Sequence, residues 1–208
     1  PAPVIPLCIA GREQTGASEA VGSDPSRPGV EAYRYALADE PLVELALQTA
    51  VNARDGWRAL GFEGRAALLR KAAASIAARR GDIIATMVLD AGKTVFEADV
   101  EISEAIDFAN YYADGFSNPA FFDGSDFEPY GTIVVTPPWN FPFAIPCGGV
   151  LAALTAGNTV ILKPASATAL TGWVLAKCLW DAGIPREVLQ FVCCPGTVGR
   201  KLLGDERC

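Results

Sequence analysis

The 208 residues contain no histidine. That absence removes the common proton shuttle, the Ser-His-Asp arrangement and most zinc sites in one step, so any chemistry must rest on other side chains. Concentrated positive charge is lacking too: 17 Lys and Arg stand against 24 Asp and Glu, giving a net charge of −7 and a pI near 4.7. Nucleic acid and anionic membrane surfaces are poor partners for such a segment, since both are held by clustered Lys and Arg. A phosphate-bearing ligand would depend on local backbone dipoles and one or two lysines. Metal-type cysteine spacing is also missing. Cys8, Cys147, Cys178, Cys193, Cys194 and Cys208 form no Cys-x-x-Cys pair, so they read as free thiols of a cytoplasmic protein, with no metal site.

Charge disappears altogether between Gly131 and Leu162. A run of this length raises the question of a membrane-spanning helix, which needs about 20 apolar residues. Pro137, Pro138, Pro142 and Pro146 reject it, because each removes a backbone donor and clashes with the preceding turn, at roughly 3 kcal/mol in a helix interior. The layout is instead strand, rigid loop, helix, strand and a lone cation. Thr132-Ile133-Val134-Val135 and Thr159-Val160-Ile161-Leu162 are β-branched runs suited to parallel strands covered on both faces. Between them, Phe143 to Ala156 is long enough for a crossover helix, and Gly157-Asn158 tolerates a left-handed stop.

The remaining chain divides by composition. Residues 1–38, rich in Gly, Pro and Ser, predict a wrapping arm with one short strand at Val4 to Ile9. Residues 39–118 carry helical periodicity: from Asp39 as N-cap to Asp55-Gly56 with Leu42, Leu45, Ala46, Thr49 and Ala50 inward, from Phe62 to Arg80, from Asp82 to Leu89, and from Thr94 to about Phe116. Glu97, Asp99, Glu101, Glu104 and Asp107 on the last of these suit an exposed face near the positive helix end better than an acid/base pair or metal cluster. Residues 119–131, with Asp123-Gly124, predict a protruding hairpin. Beyond the charge-free unit, a helix from Ala167 to Asp181, a strand from Val188 to Val192 and a helix near Val198 to Leu203 complete a β-α-β-α-β-α order over residues 132–208. Right-handed crossovers make this an α/β, Rossmann-like doubly wound parallel sheet behind an N-terminal helical segment. With no Met at Pro1 and an end just past a predicted helix, the chain is expected to be part of a longer polypeptide.

In a parallel α/β sheet the loops after successive strands open onto one ligand crevice. Asn140 lies in a loop whose prolines fix their own φ angles and restrict their neighbours, so it either donates to a developing oxyanion or bonds loop backbone. Lys163 follows a buried strand and precedes Pro164, so its ammonium either meets nucleotide hydroxyls or phosphates or snorkels to solvent. Cys193-Cys194-Pro195-Gly196-Thr197-Val198-Gly199 opens a helix and brings backbone amides near a phosphate position, without forming a Gly-x-Gly-x-x-Gly fingerprint.

Pro138-Trp139-Asn140-Phe141-Pro142, Ala156-Gly157-Asn158-Thr159-Val160 with Lys163-Pro164-Ala165, and Ala182-Gly183-Ile184-Pro185 with Val188-Leu189 resemble, in order and spacing, motifs of the aldehyde dehydrogenase superfamily. Asp90-Ala91-Gly92-Lys93 and the acidic helix ending in Asn110-Tyr111-Tyr112-Ala113 are similar to that family as well. The resemblance implies an NAD(P)-binding domain in which Asn140 donates in the oxyanion hole, Lys163 binds the adenosine ribose, and Thr136, Pro137, Pro138 and Trp139 line the cofactor site. Gly196 would contact the cofactor from a loop that departs from the family's glycines, and the segment before Thr132 would belong to an oligomerisation hairpin. Ser166 stands where many NAD-preferring members carry Glu, so NADP stays open beside the favoured NAD. Family members attack an aldehyde with a cysteine thiolate, pass hydride to the nicotinamide and hydrolyse the thioester with a glutamate-activated water. In the family both of those residues lie beyond the point matching Cys208, so no cysteine here is assigned as nucleophile and the segment alone is expected to be inactive.

Within the superfamily, Phe127-Glu128-Pro129-Tyr130-Gly131 and Leu189-Gln190-Phe191-Val192 look most like pyrroline-5-carboxylate dehydrogenases, including the dehydrogenase half of bifunctional proline-utilisation proteins. That implies oxidation of glutamate semialdehyde to glutamate in proline catabolism. The implied partners are the small aldehyde, the rest of the same polypeptide and further copies of the chain. Another aldehyde dehydrogenase, or a nucleotide-binding or assembly module without catalysis, is the alternative.

Overall fold

The structure, a computed structural model, describes residues 4–115, 124 and 126–208. The N-terminal arm departs most from expectation. In place of a loop with one strand, it forms β1 (Val4–Ile5), β2 (Leu7–Ile9), β3 (Arg12–Gln14), β4 (Ser18–Ser23) and β5 (Glu31–Leu37). β1 pairs in parallel with β5, and β5 pairs antiparallel with β4. Several of these partners are far apart in sequence, so local periodicity carries little sign of them.

Four helices follow. Asp39 caps α1 (Glu40–Ala59), accepting from the Leu42 amide at 3.1 Å. The helix continues through Asp55-Gly56, and its buried stripe is Val43, Ala46, Leu47 and Ala50, with Leu45 facing solvent. Burial of Trp57, whose indole N–H donates to the Leu154 carbonyl at 3.0 Å, holds the extra turn in place. α2 (Gly61–Ala78) and α3 (Arg80–Ala91) break at Arg79 rather than at Gly81. Gly92, at φ 68°, ends α3 in the left-handed region that favours glycine, and α4 (Val95–Gly115) starts after it.

The main sheet holds β6 (Thr132–Val135), β7 (Thr159–Leu162) and β8 (Leu189–Phe191), parallel throughout. α5 (Ala144–Thr155) crosses from β6 to β7, α6 (Ala169–Asp181) from β7 to β8, and α7 (Gly196–Leu203) follows β8. The strand order is β3-β2-β8-β7-β6, with β2 antiparallel to β8, so the arm extends the parallel sheet at one edge. Gln190, fully buried on β8, is satisfied from both sides: its Nε2 donates to the Ala46 carbonyl at 2.7 Å and its Oε1 accepts from the Ala10 amide at 3.1 Å. The α/β fold expected from the sequence is present, with an antiparallel edge added.

The expected hairpin over 119–131 falls partly on residues 119–123 and 125, outside the described residues; 126–130 carry no strand. Among the described residues no helix is long and apolar enough to cross a membrane.

Candidate active site

The parallel ladder places the three loops of interest side by side. Val135 and Leu162 are paired, and the Lys163 amide donates to the Val135 carbonyl at 2.9 Å, so Thr136 and Lys163 leave the sheet together. The Val192 amide donates to the Leu162 carbonyl at 2.9 Å, which brings Cys193 and Cys194 to the same edge. α7 packs against the Lys163 stem: a Cβ on Gly199 would lie 3.1 Å from the Lys163 Cε. Among the described residues no carboxylate pairs with the Lys163 ammonium, and the Asn140 side chain forms no hydrogen bond, to loop backbone or otherwise. Thr136, Pro138, Trp139, Asn140 and Phe141 are exposed and Pro137 is half-buried, so the loop offers its polar groups outward.

Residues outside the loop hold it in place, one of them on the helix face expected to be exposed. Glu101 is a correction to that expectation, being 1% exposed. Its Oε2 accepts from the amides of Phe143 and Ala144, at 3.0 Å each, where α5 begins without a side-chain cap of its own. Its Oε1 is paired with the Lys93 ammonium, which also lies 4.5 Å above the Phe141 ring centroid. The rest of that face is closer to expectation: Glu97 forms a capping box with Thr94, and Asp99 pairs with Arg80 at 2.6 Å.

A second buried carboxylate serves the next helix. Asp90, 2% exposed, accepts from the Tyr33 hydroxyl at 2.5 Å, the Thr171 amide at 2.8 Å and the Thr171 hydroxyl at 2.7 Å. The Tyr33 oxygen accepts in turn from the Leu170 amide at 3.3 Å, so two of the first amides of α6 are satisfied. Desolvation pushes the Asp90 carboxyl above its ordinary range, with the hydrogen bonds opposing it, and the same burial and the Asp90 charge push the Tyr33 phenol up. Beside them, Trp139 and Ser166 line one cleft of about 510 Å³ with Gly22, Asp90 and Gly92. Tyr35 fixes the loop after β7 by donating to the Ser166 carbonyl at 3.1 Å.

Of the three helices that open at this edge, α5 and α6 thus carry buried carboxylates at their N-termini. α7 does not: Pro195 supplies no cap, and Gly196 is exposed with nothing within 4 Å of a Cβ position. A diphosphate would find bare amides at α7, whereas at α5 and α6 it would meet like charge.

The profile of the aldehyde dehydrogenase family matches residues 15–208. The chain belongs to this family. Over 202 residues it is 40% identical to the 1-pyrroline-5-carboxylate dehydrogenase of Anoxybacillus flavithermus, covering 92% of this chain and 39% of that protein. The Staphylococcus epidermidis protein of that name is 38% identical over 97% of this chain and 40% of its own length. Among solved structures, 1-pyrroline-5-carboxylate dehydrogenase from Thermus with bound NAD superposes with a TM-score of 0.92 at 32% identity, over 99% of this chain and 42% of that one. Proline utilization A from Bdellovibrio bacteriovorus gives 0.88 at 34%, over 95% of this chain and 22% of that one. The chain therefore spans about two fifths of the length of its curated relatives.

Sequence reasoning found the crevice loops and missed Glu101, Lys93, Asp90, Tyr33 and Tyr35. One signal was available, since Asp90-Ala91-Gly92-Lys93 carried the family resemblance, but it had no role attached. The cysteines are free, and burial raises every thiol pKa: Cys8 to about 11, and Cys147 and Cys193 further, the last despite the opposing Lys163 charge. An activated nucleophile needs the reverse shift.

Proposed function

We propose that this chain is the nucleotide-binding portion of an NAD(P)-dependent aldehyde dehydrogenase that oxidises glutamate semialdehyde, the open form of pyrroline-5-carboxylate, to glutamate. The observation that carries the reading is the crevice edge at which Lys163 and the Asn140 amide, both without a partner among the described residues, and the uncapped start of α7 lie on adjacent loops. The names of the relatives support the substrate.

Lys163 suits the ribose hydroxyls of the adenosine, Gly196 and the first amides of α7 the diphosphate, and Thr136, Pro137, Pro138 and Trp139 the wall of the site. Ser166 in place of a carboxylate leaves room for a 2′-phosphate, so NADP is accepted beside the favoured NAD. The cofactor, when bound, supplies the hydride acceptor. Asn140 donates its side-chain N–H to the oxygen that gains charge when the aldehyde carbon becomes tetrahedral, and its freedom from other bonds suits that role. The raised thiol pKa values support a nucleophile supplied from outside these residues, with the segment alone inactive. Copies of the chain are expected to assemble with one another, and the free thiols suit a reducing cytoplasm.

The test uses the full-length polypeptide and follows reduction of NAD or NADP with glutamate semialdehyde. Asn140→Ala should lower kcat by about 10²–10³ with cofactor affinity retained. Lys163→Ala should weaken NAD binding by about tenfold or more, the worth of a charge-assisted hydrogen bond. No aldehyde oxidation by the unaltered protein would refute the enzyme reading and leave the non-catalytic module.

A further inference from the structure

Asn140 has no hydrogen bond that would fix its amide among the described residues, yet an oxyanion donor must be held to within a fraction of an ångström. Prolines stiffen its loop from within, but the loop's position relative to the sheet must come from outside contacts. One ion pair provides them. Glu101 binds the amides of Phe143 and Ala144, three and four residues after Asn140, and Lys93 pairs with Glu101 while covering the ring of Phe141, the next residue. The Lys93 side chain is 12% exposed and that of Glu101 1%, so the attraction acts where water screens it little. Lys93 reaches this place because the left-handed Gly92 turns the chain sharply between α3 and α4.

A buried carboxylate at a helix start is costly in desolvation, and an ordinary Ser or Asp cap at position 143 would avoid that cost while accepting from the Ile145 amide one residue further on. What an ordinary cap would lack is a link to a second element and to the Phe141 ring. We propose that Glu101, together with Lys93, is a positioning residue for Asn140: the pair clamps the loop at both sides of Pro142 and so sets where the Asn140 amide points. The role rests on the functional reading above, and it is not a catalytic one, since neither side chain needs to touch the substrate.

The decisive experiment is a double-mutant cycle in the full-length enzyme, with kcat measured at saturating NAD and aldehyde and NAD affinity measured by fluorescence titration. Glu101→Gln keeps the volume and one acceptor for the α5 amides but loses the charge that holds Lys93. It should lower kcat by about tenfold through misplacement of the donor, with NAD affinity within about twofold of the unaltered enzyme. In an Asn140→Ala background the same substitution should cost less than about twofold, because there is no donor left to misplace. Lys93→Met should repeat the pattern, and carries the cycle if Glu101→Gln does not fold; Lys93→Arg should restore most of the rate. Equal losses in both backgrounds, an unchanged kcat, or a parallel collapse of NAD binding would overturn the proposal while leaving the enzyme assignment intact. Failure of the unaltered enzyme to oxidise any aldehyde would instead overturn the functional reading and the positioning role with it.

Discussion

Replacing Asp90 by Ala removes the acceptor for three buried donors, the Tyr33 hydroxyl and the amide and hydroxyl of Thr171. A hydrogen bond to a charged group contributes about 1.5–3 kcal/mol, and each donor left buried and unmatched adds its own desolvation cost. The adjoining cleft admits water to part of the site, which offsets some of the loss, so a destabilisation of about 3–5 kcal/mol is expected. For a chain of this length that is a fall in melting temperature of roughly 10 °C. Asp90→Asn keeps the shape and one acceptor and should cost less, about 1–3 kcal/mol. Urea unfolding followed by circular dichroism measures both, and pH adds a second signature. Because burial holds the folded-state pKa above the ordinary 3.8, the folded form retains its proton longer than the unfolded form. Stability contributed at this site therefore falls as pH rises from about 3.8 through the raised value, and then levels off. The difference between unaltered protein and Asp90→Asn should show that slope. An Asp90→Ala cost below about 1 kcal/mol would refute the view of Asp90 as the buried cap of α6, and the opposite slope would refute desolvation as the dominant influence on its carboxyl.

Gly22→Ala should destabilise the arm by about 1–3 kcal/mol through overpacking. Its new Cβ would lie 2.1 Å from the Tyr33 ring, so the ring or the strand must shift and strain the Tyr33–Asp90 hydrogen bond, and an unchanged urea midpoint would count against that packing. In the 208-residue segment taken alone, a disulfide-exchange reagent should label Cys208 quickly and the five buried thiols only after denaturation. Rapid native labelling of Cys193 or Cys194 would contradict their burial at the crevice edge.

Local signals carried much of the fold. Asp39 as a cap, the β-branched runs at Thr132 and Thr159, Gly157 as a left-handed stop and the helix before Gly183 are decided by residues within a turn or two of each other, and each is present. The arm was not legible in the same way. Cys8 pairs with Phe191, and the short strands between glycines and prolines have too few residues for a period to emerge. The α1 stripe was legible in part: Ala46 and Ala50 are buried and Leu42 packs against the core, but Leu45 faces solvent and the sheet selects Val43 and Leu47 as well.

By itself, the sequence determined what kind of site this is: the missing histidine and basic patches, the charge-free unit and its prolines, and the order of Asn140, Lys163 and Gly196 with their family resemblance. Tertiary structure decided how that site is held and which helix end stays open. Glu101 and Asp90 sit 42 and 81 residues from the amides they bind. In sequence they are indistinguishable from solvated acids, because a carboxylate's role depends on whether folding removes its water, and burial comes only from distant partners.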